Sequence, residues 1–113
     1  WTAESGHRIG AWLAADAEVT AVFAANDQMA LGVIRALHEA GRAVPADVSV
    51  VGFDDMPESG NYWPPLTTVR QHFARVGEAA IRALLSEIDG ERAQQLTLVP
   101  TELVLRESTA ARG

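Results

Sequence analysis

At 113 residues the chain has the length of one small domain, and its hydrophobic content of 48% is enough to form a core. A formal charge of −6 argues against a chain that itself grips a nucleic-acid backbone, and the absence of cysteine excludes a disulfide framework and a thiolate zinc site. The sequence carries neither a signal peptide nor an apolar span of about 18 residues. Because it begins with Trp1 rather than Met, we expect a piece of a longer protein.

The chain opens with a predicted helix. Its apolar residues Ile9, Trp12 and Leu13 recur at helical spacing. A side-chain oxygen just before a helix accepts a hydrogen bond from one of the first backbone N–H groups, so Thr2 or Ser5 is expected to cap this one.

Two short apolar runs follow, Val19–Ala25 and Val48–Phe53. Both are rich in β-branched residues and almost continuous in hydrophobicity, which favours strands covered on both faces. Between them, the apolar side chains of Ala30–Leu37 fall on one helical stripe. The pattern predicts a β-α-β unit.

The ends of the middle helix are also marked in the sequence. Asn26 or Asp27 can cap its start, and Gly41 can supply a left-handed residue just past its end. Pro45 then prevents continuation of the helix. We therefore expect the second strand to begin soon after Pro45.

The second half of the chain has weaker signals. They predict a loop over 56–65, followed by a short extended segment over 66–71. A helix then follows, with Ile81, Leu84, Leu85 and Ile88 on its core face, and it ends at Gly90. After it we expect an extended segment over 96–105, interrupted by Pro100, and a frayed tail over 107–113.

Asn26 and Asp54 follow the two predicted strands. A crossover of this length makes the strands parallel, so their tips would lie roughly 5 Å apart if they are neighbours. A carboxylate only accepts hydrogen bonds, whereas an amide both donates and accepts, and together they can hold two adjacent hydroxyl groups. The alternative for Asn26 is a helix cap or turn former, and this reading is weaker for Asp54.

Metal and enzyme sites have little support in the sequence. His7, His38 and His72 are far apart and form no helical His pair, so surface or packing roles are favoured over a metal site. The Asp54-Asp55 pair resembles the acidic corner of phospho-receiver domains, but the chain has no Lys to complete such a site. No nucleophile elbow or Gly-rich phosphate loop occurs, so we expect neither an enzyme nor a cofactor.

Three ordered runs carry a family resemblance. Ala25-Asn-Asp-Gln-Met-Ala-Leu-Gly32, Asp47-Val-Ser-Val-Val-Gly-Phe-Asp-Asp55 and Pro64-Pro-Leu-Thr-Thr-Val-Arg-Gln71 resemble the effector-binding domain of lactose/galactose-repressor family transcription regulators. The resemblance implies an α/β fold with a parallel sheet and flanking helices, part of a periplasmic-binding-protein-like (type I) domain. Residues 1–113 would form the C-terminal part of that domain, mostly the C-terminal lobe, with residues 72–90 returning as a helix to the N-terminal lobe.

The resemblance also implies ligand-binding residues. Asn26 and Asp54 match the positions of sugar-hydroxyl ligands, and Trp1 matches an aromatic wall that packs on the sugar. Gln71 and Phe73 match positions near the cleft and hinge. Trp1 and Phe73 have a plain alternative as core aromatics.

The implied partners are a small sugar or polyol, a second copy of the chain, and operator DNA bound by a helix-turn-helix domain absent from this chain. The resemblance places Gln28, Met29, Tyr62 and Trp63 at a homodimer contact. It implies a cytoplasmic protein, usually a repressor, that has no contact with a membrane. A periplasmic sugar-binding protein of an uptake system has the same fold and stays as the alternative. In that class we expect Gly rather than Asp55 after the strand-end aspartate.

Overall fold

The secondary structure alternates helices and strands along most of the chain. The computed structural model describes residues 1–91 and 96–112. The elements are α1 (Ala3–Ala14), β1 (Ala21–Phe23), α2 (Asp27–Glu39), β2 (Ser49–Asp54), a 3-10 turn (Ser59–Asn61), β3 (Thr67–Arg70), α3 (Phe73–Ile88) and β4 (Glu102–Val104). They divide into two units, one formed by Trp1–Arg70 with Leu103–Gly113 and the other by Gln71–Glu102.

The sheet confirms the predicted β-α-β unit. Among the described residues the strand order is β1-β2-β3-β4, and both the β1–β2 and the β2–β3 pairs are parallel. β1 is shorter than the predicted run Val19–Ala25, and β2 is shifted by one residue from the predicted Val48–Phe53. The carboxyl ends of β1 and β2 therefore lie at one edge of the sheet, which we call the carboxyl edge.

The sheet of the first unit is buried on one face. Val48 and Val50 pack with the apolar side of α2, and Leu66 completes this core. On the opposite face the rings of Phe23 and Phe53 lie 6.5 Å apart in an edge-to-face arrangement, and Phe23 is largely exposed. The prediction that both strands are covered on two faces is thus wrong for this chain, because the described helices of this unit cover one face alone.

The start of α1 has the predicted cap. Thr2 is the N-cap: its hydroxyl accepts from the Ser5 backbone N–H at 3.1 Å, and the Ser5 hydroxyl accepts from the Thr2 N–H at 3.1 Å. Both candidates thus take part in a capping box, which satisfies two backbone donors.

The buried face of α1 differs from the one expected. Ile9 and Trp12 are exposed, and the buried residues are Gly6, Gly10 and Ala14. A β-carbon on Gly6 would overlap the backbone of Met29 in α2. The two helices approach so closely that only small residues fit between them, and the large apolar side chains of α1 face outwards.

α2 ends as predicted. Gly41 has φ of +73° just past the helix. Its N–H donates to the His38 carbonyl at 3.0 Å, and the Arg42 N–H donates to the Leu37 carbonyl at 2.9 Å. These two bonds form a Schellman motif, which satisfies carbonyl groups that the helix leaves unpaired.

The second unit consists mainly of α3. Gly90 has φ of +77° just past its end, in agreement with the predicted stop. Among the described residues no residue of α3 is buried, so the prediction that its apolar stripe is a core face is wrong for this chain. The exposed apolar residues of α3 are Phe73, Val76, Ile81, Leu84, Leu85 and Ile88. Helical periodicity identifies a face that favours burial, but it does not say whether the covering surface lies in the same chain.

Two predictions for the end of the chain need correction. Strand structure is confined to Glu102–Val104, instead of the predicted 96–105. The predicted frayed tail over 107–113 is wrong for Ser108, which is fully buried. The Ser108 hydroxyl donates to the Val50 carbonyl at 2.6 Å and accepts from the Thr67 N–H at 2.8 Å. Gly113 lies outside the described residues.

None of the helices in the described part of the chain is both long and apolar enough to cross a membrane.

Gly6→Ala tests the close contact of α1 and α2. We expect the free energy of unfolding to fall by about 1 to 3 kcal/mol, because the added carbon forces the two backbones apart. Urea unfolding measures this change. The control is Gly77→Ala in α3, where an added β-carbon meets nothing within 4 Å. This control should not lower the free energy of unfolding, and equal midpoints for Gly6→Ala and the parent would contradict the tight packing.

Candidate ligand site at the carboxyl edge of the sheet

Asn26 and Asp54 leave the sheet at the same edge. Phe23 of β1 pairs with Val51 of β2, and Asn26 and Asp54 each lie three residues beyond this pair. The carboxyl edge of a parallel α/β sheet is where such folds bind ligands. The placement that the sequence predicts for the two residues is therefore the one observed.

The Asn26 carboxamide has two structural contacts. Its Oδ1 accepts from the Met29 N–H at 2.8 Å, so Asn26 is the N-cap of α2. Its Nδ2 donates to the Trp1 carbonyl at 3.2 Å. A carboxamide has two N–H groups and two oxygen lone pairs, so these contacts use half of its capacity. Asn26 is thus a cap whose carboxamide retains one donor and one acceptor.

Trp1 lies beside Asn26 because of the same hydrogen bond. Its indole is not part of the core, as the residue is 80% exposed. The plain alternative, a core aromatic, does not hold in this chain. The first unit therefore places the Trp1 backbone next to the Asn26 amide and leaves the residue largely exposed.

Asp54 ends β2 in an unusual backbone conformation. It pairs with Arg70 in the sheet register, and its φ is +115°, followed by +58° at Asp55. Few residues other than glycine adopt such values, which cost of order 1 to 3 kcal/mol. The chain therefore turns sharply at Asp54 and Asp55.

Asp55 is held between two arginines. Its carboxylate accepts from Arg70 Nε at 2.7 Å and from Arg106 Nη2 at 2.6 Å, and its side chain is only 9% exposed. Burial alone would raise the pKa of Asp55, but the hydrogen bonds from the two arginines outweigh it and keep the pKa below its ordinary value. No local signal pairs Asp55 with Arg106, since 51 residues separate them.

Asp27 is fully buried, and sequence reasoning considered it only as a helix cap. Its Oδ2 accepts from the Met56 N–H at 2.8 Å and the Ser59 hydroxyl at 2.5 Å, and its Oδ1 accepts from the Thr68 hydroxyl at 2.5 Å. We call these four residues the Asp27 cluster. A β-carbon on Gly52 would overlap the carboxylate, so glycine is required there. An acidic residue at the first position of the helix after a strand, together with a glycine inside the next strand, was the available signal.

The other two predicted ligand residues lie in the second unit. Gln71 is half-buried, and Phe73 is the first residue of α3 and more than half exposed. The alternative that Phe73 is a core residue does not hold in this chain, because more than half of the residue is exposed.

The predicted dimer residues have different environments. Gln28 is exposed on α2, and Trp63 is 82% exposed. Met29 and Tyr62 are half-buried and pack against the core. Burial raises the pKa of the Tyr62 phenol, and a hydrogen bond with Ser59 partly offsets this. Tyr62 is therefore less exposed than Trp63, because it packs against the core.

The histidines have ordinary contacts. His7 Nε2 lies 2.6 Å from a Glu39 carboxylate oxygen, and His72 Nε2 lies 3.8 Å from one of Glu102. Across residues 1–91 and 96–112, no group of three or more His, Asp or Glu side chains could hold a metal ion.

Comparison with known proteins identifies the class and then the family. Residues 1–109 match the family described as periplasmic binding protein-like domain. The lactose operon repressor of Escherichia coli K12 is 43% identical over 112 residues, which cover 98% of this chain and 31% of the repressor. This chain belongs to the lactose/galactose-repressor family of transcription regulators, which confirms the resemblance of the three runs.

Solved structures agree with this assignment. The crystal structure of the Lac repressor dimer bound to operator and the anti-inducer ONPF has a TM-score of 0.91 at 43% identity, and the match covers 98% of this chain and 39% of that one. A LacI family regulator from Lactobacillus casei with bound sucrose has a TM-score of 0.82 at 36% identity, over 96% of this chain and 41% of that one. The chain spans about a third of the length of the first curated relatives that it matches.

Asp55→Asn tests the arginine pair. At pH 7 we expect the free energy of unfolding to fall by about 1.5 kcal/mol, the lower end for hydrogen bonds to charged groups, because solvent reaches Arg70. The pKa of Asp55 is lower in the folded chain than its ordinary 3.8, so the stabilisation is complete above about pH 4 and is lost as the pH falls through the folded pKa.

Urea unfolding between pH 7 and pH 3 measures the difference between Asp55→Asn and the parent. This difference should shrink in the acid part of the range. Glu18→Gln, which removes the charge of an exposed carboxylate in the same unit, serves as the control. A difference that stays constant down to pH 3, or a control that behaves like Asp55→Asn, would contradict the role of the arginines.

Proposed function

We propose that this chain is the effector-sensing part of a DNA-binding transcriptional repressor. In this proposal the repressor binds a small sugar or polyol between two lobes. The observation that carries the proposal is the shared position of Asn26 and Asp54 at the carboxyl edge, three residues beyond one strand pair. Its relatives support the proposal, since they include a lactose operon repressor and a regulator with bound sucrose. The protein acts in the cytoplasm, where its operator lies, and is not an enzyme.

The chemistry of the three residues in the first unit suits a sugar. The Asp54 carboxylate accepts hydrogen bonds from hydroxyl groups, and the remaining N–H and lone pair of Asn26 can serve a neighbouring hydroxyl. Trp1, whose backbone carbonyl accepts from Asn26, is largely exposed, and its indole offers an apolar surface to the C–H face of a sugar ring. Together they provide polar and apolar contacts on one side of a ligand.

The second unit carries the other two proposed ligand residues, Gln71 and Phe73. In this proposal Gln71 and Phe73 lie near the hinge between the lobes, and residues 72–90 return to the N-terminal lobe. The exposed apolar stripe of α3 supports this, because a helix with this pattern favours a covering surface. The operator is bound by a helix-turn-helix domain elsewhere in the protein.

Effector binding changes operator affinity only through a difference in affinity for two lobe arrangements. To move such a balance from 1:99 to 99:1, the effector must bind one arrangement more tightly by about 5.5 kcal/mol. Hydrogen bonds to a charged group contribute about 1.5 to 3 kcal/mol each. Hydrogen bonds that form in only one of the two lobe arrangements can supply this difference in free energy. Those from the effector to Asp54, added to those from the effector to the other lobe, are of the required size.

Asp54→Ala tests the ligand contact. In the full-length regulator we expect sugar affinity to fall roughly tenfold to a hundredfold, because the variant loses hydrogen bonds to a charged acceptor. Titration calorimetry with lactose, sucrose and glucose measures the affinity, and operator release by the same sugars should weaken in parallel. The exposed carboxylate variant Glu18→Gln should bind as the parent does. Unchanged affinity in Asp54→Ala would remove Asp54 from the site.

Trp63→Glu tests the proposed homodimer contact, which includes Gln28, Met29 and Tyr62. We expect the full-length variant to dissociate into monomers at a higher protein concentration than the parent does, because a charge replaces an exposed aromatic anchor. Sedimentation velocity over a concentration series measures this. The matched control is Trp12→Glu, since Trp12 is 75% exposed on α1. Equal dissociation of the two variants would exclude a specific contact at Trp63.

A further inference from the structure

The buried carboxylate of Asp27 connects the two segments that carry the proposed ligand residues. Asp27 follows Asn26 directly in the chain. Its Oδ2 accepts from the backbone N–H of Met56, two residues after Asp54, at 2.8 Å. One side chain thus joins the segment that leaves β1 to the segment that leaves β2, at the point where both ligand residues emerge.

The remaining contacts of the Asp27 cluster fix this connection. The Ser59 hydroxyl donates to the same oxygen, and the Thr68 hydroxyl donates to the other. Asp27 has no exposed surface, so water cannot replace a donor that moves away. A buried charged group without its donors is costly, and the arrangement therefore resists changes in spacing.

β3 extends the connection to Asp54. Thr68 lies in β3 two residues before Arg70, and Arg70 is the register partner of Asp54. Asp54 itself has a positive φ, a conformation that persists only where the surroundings enforce it. The Asp27 cluster holds both sides of this turn, with Met56 after Asp54 and Thr68 on the neighbouring strand.

We propose that Asp27 is a positioning residue for effector binding, which sets the spacing between the Asn26 amide and the Asp54 carboxylate without touching the ligand itself. This proposal rests on the proposed function, because it concerns the same site. Its chemistry is distinct from that of the ligand residues: Asp27 accepts hydrogen bonds from the protein alone. The spacing matters because two hydroxyl groups on one sugar ring require donors and acceptors at fixed separation.

The experiment compares three variants in the full-length regulator. Asp27→Ala removes all the hydrogen bonds of the carboxylate, and we expect the affinity for the sugar that the parent binds best among lactose, sucrose and glucose to fall about tenfold. Asp27→Asn keeps the shape of the side chain. Its amide oxygen can accept from the Met56 N–H, and its amide nitrogen can donate to the Thr68 hydroxyl. The sugar affinity of this variant should therefore be close to that of the parent. Ser59→Ala removes one donor and provides a milder test where Asp27→Ala does not fold.

Ser108→Ala is the matched control. It also removes buried hydrogen bonds, to Val50 and Thr67, but it touches none of the four residues of the Asp27 cluster. It should lower the urea midpoint while leaving sugar affinity per folded molecule within about twofold of the parent, a change of under half a kcal/mol. A positioning role lowers the sugar affinity per folded molecule, whereas a merely structural role lowers the urea midpoint alone.

The outcomes separate the two proposals. If Asp54→Ala loses affinity while Asp27→Ala and Ser59→Ala bind as the parent does, the positioning role is wrong and the proposed function stands. The positioning role is also wrong if Ser108→Ala loses as much affinity as Asp27→Ala. If Asp54→Ala itself binds like the parent, the ligand role of Asp54 is wrong, and the positioning role falls with it.

Discussion

A carboxylate that leaves water must find hydrogen-bond donors inside the protein, and Asp27 finds them on three separate segments of the chain. The donors come from the loop after β2, from the 3-10 turn that begins at Ser59, and from β3. Asp27 is also the first residue of α2, where a negative charge is favoured by the helix dipole. Three segments at the carboxyl edge therefore converge on one carboxylate, and Gly52 leaves the space in which it fits.

Local signals in the sequence were sufficient where the cause is local. The caps at Thr2 and Asn26 and the left-handed residue at Gly41 each involve neighbours within a few positions, and all three are observed. The parallel pairing of β1 with β2 also follows from the length of the crossover. This pairing is enough to bring Asn26 and Asp54 to one edge, so the two principal candidates for the site could be predicted without coordinates.

Features that depend on distant partners could not be predicted. Ser108 is buried because it joins Val50 to Thr67, although its own neighbours suggest a loose tail. The hydrophobic pattern of α1 pointed to Trp12 as core, but close helix contact reserves the interior for Gly6 and similar small residues. Helical periodicity also marked the apolar stripe of α3, but no described residue of that helix is buried, because burial needs a covering surface that periodicity does not specify.

The charges at the carboxyl edge limit the kind of ligand that this part of the site favours. Asp27, Asp54 and Asp55 contribute three negative charges, and Arg70 and Arg106 contribute two positive ones, a formal sum of −1. Both arginines donate to Asp55, so their charge is directed at a protein carboxylate. An anionic ligand would meet unfavourable electrostatics beside Asp54, whereas a neutral polyol donates hydroxyl hydrogens to it. The proposed sugar effector is consistent with this balance, and a phosphorylated sugar would need compensating cations from the other lobe.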